Sequence, residues 1–170
     1  MSAVLDANLI REYLRKSPPL IEGLIDSDIQ IQPNGIDLSL QSVMRLEGQG
    51  QLDFSNKDRK LPHTPPIEFG PNGWIMLDPG SYLVSFNEIV NLPLNIMALG
   101  KPRSSLLRMG ATIETAVWDA GYVGRSQCLL VVHNPQCIRL ARNARILQLV
   151  FFRLASETEG YSGAYQEENI

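Results

Sequence analysis

The sequence predicts an all-β domain with one short helix near its amino end. Apolar and polar residues alternate over residues 36–40 and 82–86, which is the period-two pattern of half-buried strands. Glycine and proline turns lie between such segments, for example at residues 70–73 and 78–80. Many short strands joined by turns of this kind favour a sandwich, jelly-roll or barrel-like domain.

The helix is predicted over residues 5–16. Asp6 is a suitable N-cap, and Pro18 and Pro19 end the pattern because proline cannot continue a helix. Apolar residues recur between these limits at spacings of three and four: Leu9, Ile10, Tyr13 and Leu14. This spacing is typical of an amphipathic helix.

Two later segments, residues 128–132 and 146–152, are almost wholly apolar. Such runs are typical of strands that are covered on both faces, by a second sheet or by a subunit partner. Residues 47–66 are rich in Gly, Asp, Asn, Lys and Pro, and they predict an irregular surface excursion. Trp74 and Trp118 are interpreted as core residues.

Length and composition bound the class of protein. The 170 residues predict a single domain, 1–170, with 44% hydrophobic and 19% charged residues, which is a globular balance. The net charge of −3 predicts no nucleic-acid polymer as a partner. Two cysteines and two histidines show no metal-ligand spacing, so no protein-held metal is predicted. Without a signal peptide or a membrane-length apolar run, we expect a cytoplasmic location and no membrane contact.

The segment that starts at Arg103 is a candidate phosphate receptor. Its guanidinium is followed by the hydroxyl groups of Ser104 and Ser105, a combination that suits phosphate oxygens. Taken alone, this segment is more typical of a solvated turn with a capping serine. Arg108 favours the phosphate interpretation, because a helical turn over residues 104–108 would return a second cation and expose N–H groups to an anion.

A second candidate segment, residues 119–124, places a carboxylate and an aromatic ring on a tight turn. Asp119 is also typical of a hairpin turn, and Tyr122 of a half-buried strand. Gly121 and Gly124 flank the ring, however, and would leave one of its faces open to a flat ligand. A phosphate receptor, an aromatic platform and a carboxylate together suggest a nucleotide site in which water attacks.

Two further polar residues lie in apolar surroundings. Gln148 lies inside an apolar strand, where a buried amide needs partners or points into a site. Asp37, in the alternating segment 36–40, has the same two interpretations. The sequence leaves both alternatives open.

In chain order, these segments resemble the motifs of the trimeric dUTPase and dCTP deaminase superfamily over residues 30–166. The matching segments are 32–38, 102–110, 119–124, 144–151 and 160–163. The resemblance implies a β-clip, or distorted jelly-roll, subunit in a homotrimer, with each active site built from more than one chain. It also implies that residues 156–170 form a mobile closing tail.

The resemblance implies a role for each candidate residue. Asp119 would contact the sugar and position the attacking water, and Asp37 is the second catalytic candidate. Tyr122 would pack on the deoxyribose and Tyr161 would cover the base. The other substrate-binding candidates are Arg103, Ser104, Ser105, Arg108, Gln148, Tyr165 and Gln166. Magnesium would be carried by the substrate triphosphate, with no protein metal ligand.

One missing residue separates the two activities of the superfamily. Its deaminases place a glutamate in the strand after the third motif, and that position falls here at Leu129 or Val131. An aliphatic side chain cannot shuttle a proton. The sequence therefore predicts hydrolysis of dUTP to dUMP and diphosphate.

The alternatives are a dCTP deaminase, which would include a bifunctional one, and a module that binds a deoxynucleotide without turnover. The deaminase alternative rests on Tyr165, Gln166 and the extension at residues 106–110, which resemble deaminases. The expected partners are deoxyuridine or deoxycytidine triphosphate and further copies of the chain.

Overall fold

The structure is a computed structural model, and it describes residues 3–170. Within that range the chain forms three short helices and fourteen strands. The helices are α1 (Ala7–Leu14), α2 (Ser27–Gln30) and α3 (Ser104–Arg108). The strands are β1 (Ile21–Glu22), β2 (Ile31–Gln32), β3 (Gly35–Arg45), β4 (Pro66–Ile67), β5 (Trp74–Leu77), β6 (Gly80–Phe86), β7 (Ile89–Asn91), β8 (Ile96–Pro102), β9 (Ala111–Glu114), β10 (Val117–Trp118), β11 (Val123–Gly124), β12 (Gln127–Val132), β13 (Ile138–Ala141) and β14 (Arg145–Arg153).

Antiparallel pairing organises these strands into one main sheet and two small ones. The main sheet has the order β10-β8-β14-β3-β6-β12-β9, and β2 and β4 add to β3. The small sheets are β1-β7-β11 and β13-β5. Apart from the pairs β2–β3 and β3–β4, neighbouring strands are not consecutive in the chain, so the chain crosses over repeatedly. The predicted all-β class with a short N-terminal helix is confirmed.

Helix α1 forms where its capping residue and apolar spacing predict it. The Asp6 carboxylate accepts a hydrogen bond from the Leu9 N–H at 2.9 Å, and Ile10 and Tyr13 are buried. The helix is two residues shorter at each end than predicted. Helix α2 was not predicted, because a single turn capped by Asp26 is too short to show periodicity. None of the helices in residues 3–170 is long and apolar enough to cross a membrane.

The two apolar segments form β12 and β14, but the single chain covers only one face of each. Leu129 and Val131 of β12, and Val150 of β14, remain partly exposed. Trp118 is buried as predicted. The core prediction for Trp74 was wrong, because this residue is 44% exposed. It lies on β5, which pairs only with β13 and stands outside the main sheet. Its ring contacts the Arg139 guanidinium instead of the core.

Residues 47–66 form the predicted irregular excursion. Two isolated bridges, Glu47 with His63 and Gln51 with Lys60, hold it as a loose ribbon before β4 begins. Its polar groups hydrogen-bond locally, as in the Asp53 carboxylate, which accepts from the Ser55 hydroxyl and amide. The excursion is therefore an extension of the surface, and its base forms part of the candidate site described below.

A buried carboxylate holds β3 against the loop before β7. Glu88 is 0% exposed, and its oxygens accept hydrogen bonds from Gln30 Nε2 (2.6 Å), Ser39 Oγ (2.6 Å) and the Ser39 N–H (2.9 Å). Gln30 Nε2 also donates to the Asp37 carbonyl at 2.9 Å. A buried charge needs such donors. Glu88 therefore holds the part of β3 that carries Asp37.

Replacing Glu88 by Gln should change how stability depends on pH. Burial raises the pKa of Glu88 above its ordinary value of 4.5, against the hydrogen bonds from Ser39 and Gln30. The stability that this group contributes is thus fully present below pH 4.5 and is lost as the pH rises through the raised pKa. We expect the free energy of unfolding of Glu88→Gln to fall less than that of the wild type between pH 4.5 and about pH 8.

Urea titrations at the two pH values measure this difference. Glu157→Gln, which changes an exposed glutamate in the same way, should keep the wild-type dependence. Parallel curves for Glu88→Gln and the wild type would contradict the expectation.

Candidate active site

The first group of candidate residues meets where β8, β14 and β3 run side by side. The Asp37 carboxylate lies 2.9 Å from Arg103 Nε and 3.1 Å from Arg145 Nη1. Gln148 stands directly opposite Asp37 in the β14–β3 register, so the two side chains share one face of the sheet. The structure thus brings Asp37, Arg103 and Gln148 together, and it adds Arg145.

Asp37 is buried and the guanidiniums above it are not. Its side chain is 1% exposed, whereas those of Arg103 and Arg145 are each 29% exposed. Burial raises the pKa of Asp37, and the two guanidiniums oppose this shift. Both cations use Oδ2, and Oδ1 has no partner among the described residues. Asp37 therefore holds the two cations from below, and backbone carbonyls hold them as well: Arg103 Nη1 donates to the Arg145 carbonyl and Arg145 Nη1 to the Ile29 carbonyl.

Helix α3 begins beside these guanidiniums. Ser104, Ser105 and Arg108 lie on it and are exposed, and Leu106 anchors it in the core. No side chain caps its amino end, so N–H groups of the first turn stay available there. The phosphate interpretation of the sequence required a helical turn over residues 104–108, and the structure has that turn.

The second group of candidate residues lines a cleft of about 590 Å³. The β10–β11 turn contributes Asp119 and Tyr122, and the chain end contributes Tyr161, Tyr165 and Glu168. The opposite wall comes from the base of the 47–66 excursion, through Leu61, Pro62 and Thr64. Asp119 is exposed at the rim. The cleft is largely apolar with carboxylates at its edge, which suits a flat heterocycle with polar groups.

A chain of hydrogen bonds forms one side of the cleft. Trp118 Nε1 donates to Ser126 Oγ at 2.5 Å, Ser126 Oγ lies 3.1 Å from the Tyr122 hydroxyl, and that hydroxyl donates to Glu168 Oε1 at 2.8 Å. The Tyr161 ring packs edge-on against Tyr122, with centroids 5.7 Å apart. Burial raises the pKa of Tyr122, and burial also raises the pKa of Glu168.

Residues 161–169 belong to the predicted closing tail, 156–170, and only they are called the tail below. They run along the outside of the β10–β11 turn. The backbone of the tail bonds to the turn and to the strand that follows: the Tyr161 N–H donates to the Ala120 carbonyl at 2.8 Å, and the Arg125 N–H, just after β11, donates to the Glu168 carbonyl at 2.9 Å. Gln166 uses its amide on the same turn: Nε2 donates to the Gly121 carbonyl and Oε1 accepts from the Val123 N–H. In this arrangement Gln166 binds protein backbone.

The two groups of residues lie far apart within one chain. Trp118 pairs with Ala98, so Asp119 lies beside the start of β8, whereas Arg103 follows its end. A strand rises about 3.3 Å per residue, which puts roughly 20 Å between the two groups. A single chain therefore presents two half-sites at opposite ends of β8.

A family model described as dCTP deaminase-like matches residues 4–154. The chain belongs to the dCTP deaminase-like family. It is 55% identical over 168 residues to the probable deoxyuridine 5'-triphosphate nucleotidohydrolase of Methanosarcina mazei, which covers 98% of both chains. It is 43% identical over 138 residues to the deoxyuridine 5'-triphosphate nucleotidohydrolase of Methanocaldococcus jannaschii, covering 81% of this chain and 87% of that protein.

A solved member of the superfamily has the same fold. The 2'-deoxycytidine 5'-triphosphate deaminase of Agrobacterium tumefaciens superimposes with a TM-score of 0.66 over 89% of this chain, at 23% identity. This chain spans 48% of the length of that chain. The likeness confirms the predicted β-clip, or distorted jelly-roll, class of fold.

Sequence reasoning missed Arg145, Ser126 and Glu168. Arg145 opens a strand, and only the pairing of β14 with β3 and β8 brings it to Asp37. Glu168 lies beyond the last segment that resembles a dCTP deaminase-like motif. The strand β12 provides no carboxylate, as the sequence predicts, but Glu168 brings one into the cleft from the tail.

Replacing Gly124 by Ala tests how closely Tyr122 and the tail approach this strand. A Cβ at Gly124 would lie 2.6 Å from the Tyr122 hydroxyl oxygen and 3.2 Å from Glu168 Cγ. We expect Gly124→Ala to lose about 1–3 kcal/mol of unfolding free energy, because a packed aromatic must shift. Chemical denaturation measures the loss.

Gly50→Ala is the matched control, because the nearest atom to its Cβ lies at 3.6 Å. It should change the free energy of unfolding by less than about 0.5 kcal/mol. Equal effects of the two substitutions would show that the contact at Gly124 is not tight.

Proposed function

We propose that this protein is a dUTP diphosphatase, which hydrolyses dUTP to dUMP and diphosphate. The observation that carries the proposal is the 55% identity, over nearly the full length of both chains, to a relative named as a probable deoxyuridine 5'-triphosphate nucleotidohydrolase. The two half-sites support it chemically. One offers cations and N–H groups for phosphates, and the other offers an apolar cleft with a carboxylate at its rim.

The phosphate half-site binds the triphosphate in this proposal. Arg103 donates from Nη2, since its Nε binds Asp37 and its Nη1 binds the Arg145 carbonyl, and Ser104 and Ser105 donate from the first turn of α3. Gln148 and Arg108 complete the set. We assign Asp37 the role of a positioning residue, because its buried carboxylate is bound to guanidiniums and does not reach the surface.

The cleft holds the nucleoside, and Asp119 orients the attacking water. The exposed Asp119 carboxylate accepts a hydrogen bond from the water and aligns its oxygen with the α-phosphorus. The water oxygen forms a bond to the α-phosphorus and its proton passes to the Asp119 carboxylate, while the bond from the α-phosphorus to the oxygen that bridges to the β-phosphorus breaks and diphosphate leaves with that oxygen. Arg103 stabilises the charge that develops on the phosphate oxygens. Tyr122 and Tyr161 enclose the sugar and the base.

A complete site in this proposal needs two copies of the chain. The half-sites of one chain are roughly 20 Å apart, too far for one nucleotide to bridge in a straight line of attack. A homotrimer would place the Arg103 end of one chain beside the Asp119 cleft of the next. The partly exposed faces of β12 and β14 are available for such an interface.

We propose that magnesium enters with the substrate. Within residues 3–170 no cluster of three or more His, Cys, Asp or Glu side chains could hold a metal ion. Triphosphate oxygens and water are suitable ligands for magnesium, which keeps several waters when bound. Bound there, the cation neutralises part of the triphosphate charge.

Substitution of Asp119 tests the reaction. Asp119→Asn should lower kcat for dUTP by about 10²–10⁴-fold, because the amide is a poor acceptor for the proton of the attacking water. Asp58→Asn, at an exposed aspartate of the excursion, should leave kcat unchanged. Diphosphate release from dUTP with magnesium is the measurement, and intact dUTP after prolonged incubation of the wild type would refute the function.

Mixing two inactive variants tests the shared site. Arg103→Ala and Asp119→Asn each destroy one half-site, and a mixed trimer contains some sites with both halves intact. Random assembly of equal amounts should restore about a quarter of the wild-type activity after subunit exchange, since each half is intact in half of the chains. Activity that stays at the level of the separate variants would show that one chain forms the whole site.

Deamination of dCTP is a second candidate, favoured by one observation. The Glu168 carboxylate lines the same cleft as Tyr122, and burial raises its pKa, as suits a general acid or base. Product analysis with dCTP beside dUTP separates the two reactions. Ammonia release from dCTP would establish the deaminase activity.

A further inference from the structure

The side chain of Arg125 lies between the tail and the turn that joins β6 to β7. Its Nη1 donates to the carbonyl oxygen of Phe86 at 3.0 Å and to that of Asn87. Its Nε donates to the carbonyl oxygen of Asn169, in the tail, at 3.1 Å. One guanidinium therefore joins two segments that are distant in the sequence, and it uses a different nitrogen for each of them.

The backbone of Arg125 holds the tail as well. Its N–H donates to the Glu168 carbonyl at 2.9 Å, and its carbonyl accepts from Asn169 Nδ2 at 3.0 Å. Glu167 and Asn169 both have a left-handed backbone, with φ of 58° and 56°, which is uncommon for residues with a Cβ. Glu168 lies between these two exposed residues and is turned to the cleft, where its carboxylate accepts from the Tyr122 hydroxyl. Arg125 thus binds the tail where its backbone is most constrained.

The β6–β7 turn is a firm support for the guanidinium. Phe86 is 0% exposed, and Asn87 binds β3 twice: its N–H donates to the Ser39 carbonyl at 3.0 Å and its Nδ2 to Ser39 Oγ at 2.8 Å. The next residue is the buried Glu88, which also binds Ser39. Most residues of the tail are exposed by comparison. Arg125 therefore ties an exposed segment to a well-bonded part of the core.

Arg125 stands beside the cleft rather than in it. The cleft is lined by Ser126 and, from the tail, by Tyr161, Tyr165 and Glu168, but not by Arg125. An effect of the guanidinium on a ligand in the cleft must consequently pass through the position of the tail.

We propose that Arg125 is a positioning residue that clamps the tail over the cleft and thereby sets how long a bound pyrimidine nucleotide stays there. The proposal rests on the proposed function, because it takes the cleft as the nucleoside site and Tyr161 as part of the enclosure of the base. Nη1 provides the fixed end of the clamp and Nε the end that grips the tail. A nucleotide leaves when the tail lifts, so a weaker clamp shortens its residence.

Replacing Arg125 by Lys separates the two ends of the clamp. The lysine Nζ can replace Nη1 at the carbonyls of Phe86 and Asn87, but it leaves the Asn169 carbonyl without the donor that Nε provides. Arg125→Ala removes both ends. Chemical denaturation should give Arg125→Lys the unfolding free energy of the wild type, whereas Arg125→Ala should be less stable. A purely structural role of the guanidinium predicts that lysine restores every property of the wild type.

Hydrogen exchange of the free protein measures how often the tail lifts. The Glu167 amide donates to the Val123 carbonyl at 2.8 Å, so it exchanges when this contact opens. We expect it to exchange about three- to tenfold faster in both Arg125→Lys and Arg125→Ala, because each variant loses one hydrogen bond to the tail while the other bonds remain. Arg15→Ala, which changes an exposed arginine at the end of α1, should exchange like the wild type.

The release of a nucleotide measures the effect on the site. The ligand is α,β-imido-dUTP, which is not hydrolysed, and its dissociation is followed by chasing the radiolabelled compound with the unlabelled one. We expect dissociation about three- to tenfold faster from Arg125→Lys than from the wild type, the same factor as for the exchange of the Glu167 amide. Arg15→Ala should release the nucleotide at the wild-type rate.

Each outcome decides one step of the proposal. Exchange of the Glu167 amide at the wild-type rate in Arg125→Lys overturns the clamp. Faster exchange with an unchanged rate of dissociation overturns the effect of the clamp on the nucleotide. A wild-type protein that binds α,β-imido-dUTP but leaves dUTP intact refutes the proposed hydrolysis, while hydrogen exchange in the free protein still decides whether Arg125 clamps the tail.

Discussion

Strand β8 sets the distance between the two chemical ends of this protein. It runs from Ile96 to Pro102 between β10 and β14, and a hydrogen-bonded central strand cannot bend to bring its ends together. The proposed phosphate-binding groups follow one end, and the aromatic cleft lies at the other. A reaction that needs both must therefore recruit a second copy of the chain.

Buried carboxylates hold the strands that carry the proposed phosphate half-site. Glu88 binds the backbone and hydroxyl of Ser39 and, through Gln30, the carbonyl of Asp37. Asp37 in turn holds Arg103 and Arg145. Each carboxylate is costly to bury, and donors offset that cost: the buried Ser39 and Gln30 for Glu88, and the partly exposed Arg103 and Arg145 for Asp37. The arrangement places charge below the site and donors above it.

The cleft is built differently, because part of its wall comes from the carboxyl-terminal segment. The tail pairs with the β10–β11 turn through backbone groups and places Glu168 on Tyr122.

The sequence by itself determined the strand-rich class, the capped first helix and the motif order, because these depend on local periodicity, on turn residues and on short spacings. Asp6, the turn at residues 119–124 and the helical turn at Ser104 follow from such local signals. Pairing between distant strands decided the rest. The register of β14 against β3 and β8 brought Arg145 to Asp37, and the return of the chain end brought Glu168 to Tyr122. Neither contact leaves a local pattern in the sequence, since each joins residues separated by about a quarter or more of the chain. Trp74 is exposed for a similar reason: its strand, β5, pairs only with β13, and no local pattern shows that the main sheet does not cover it.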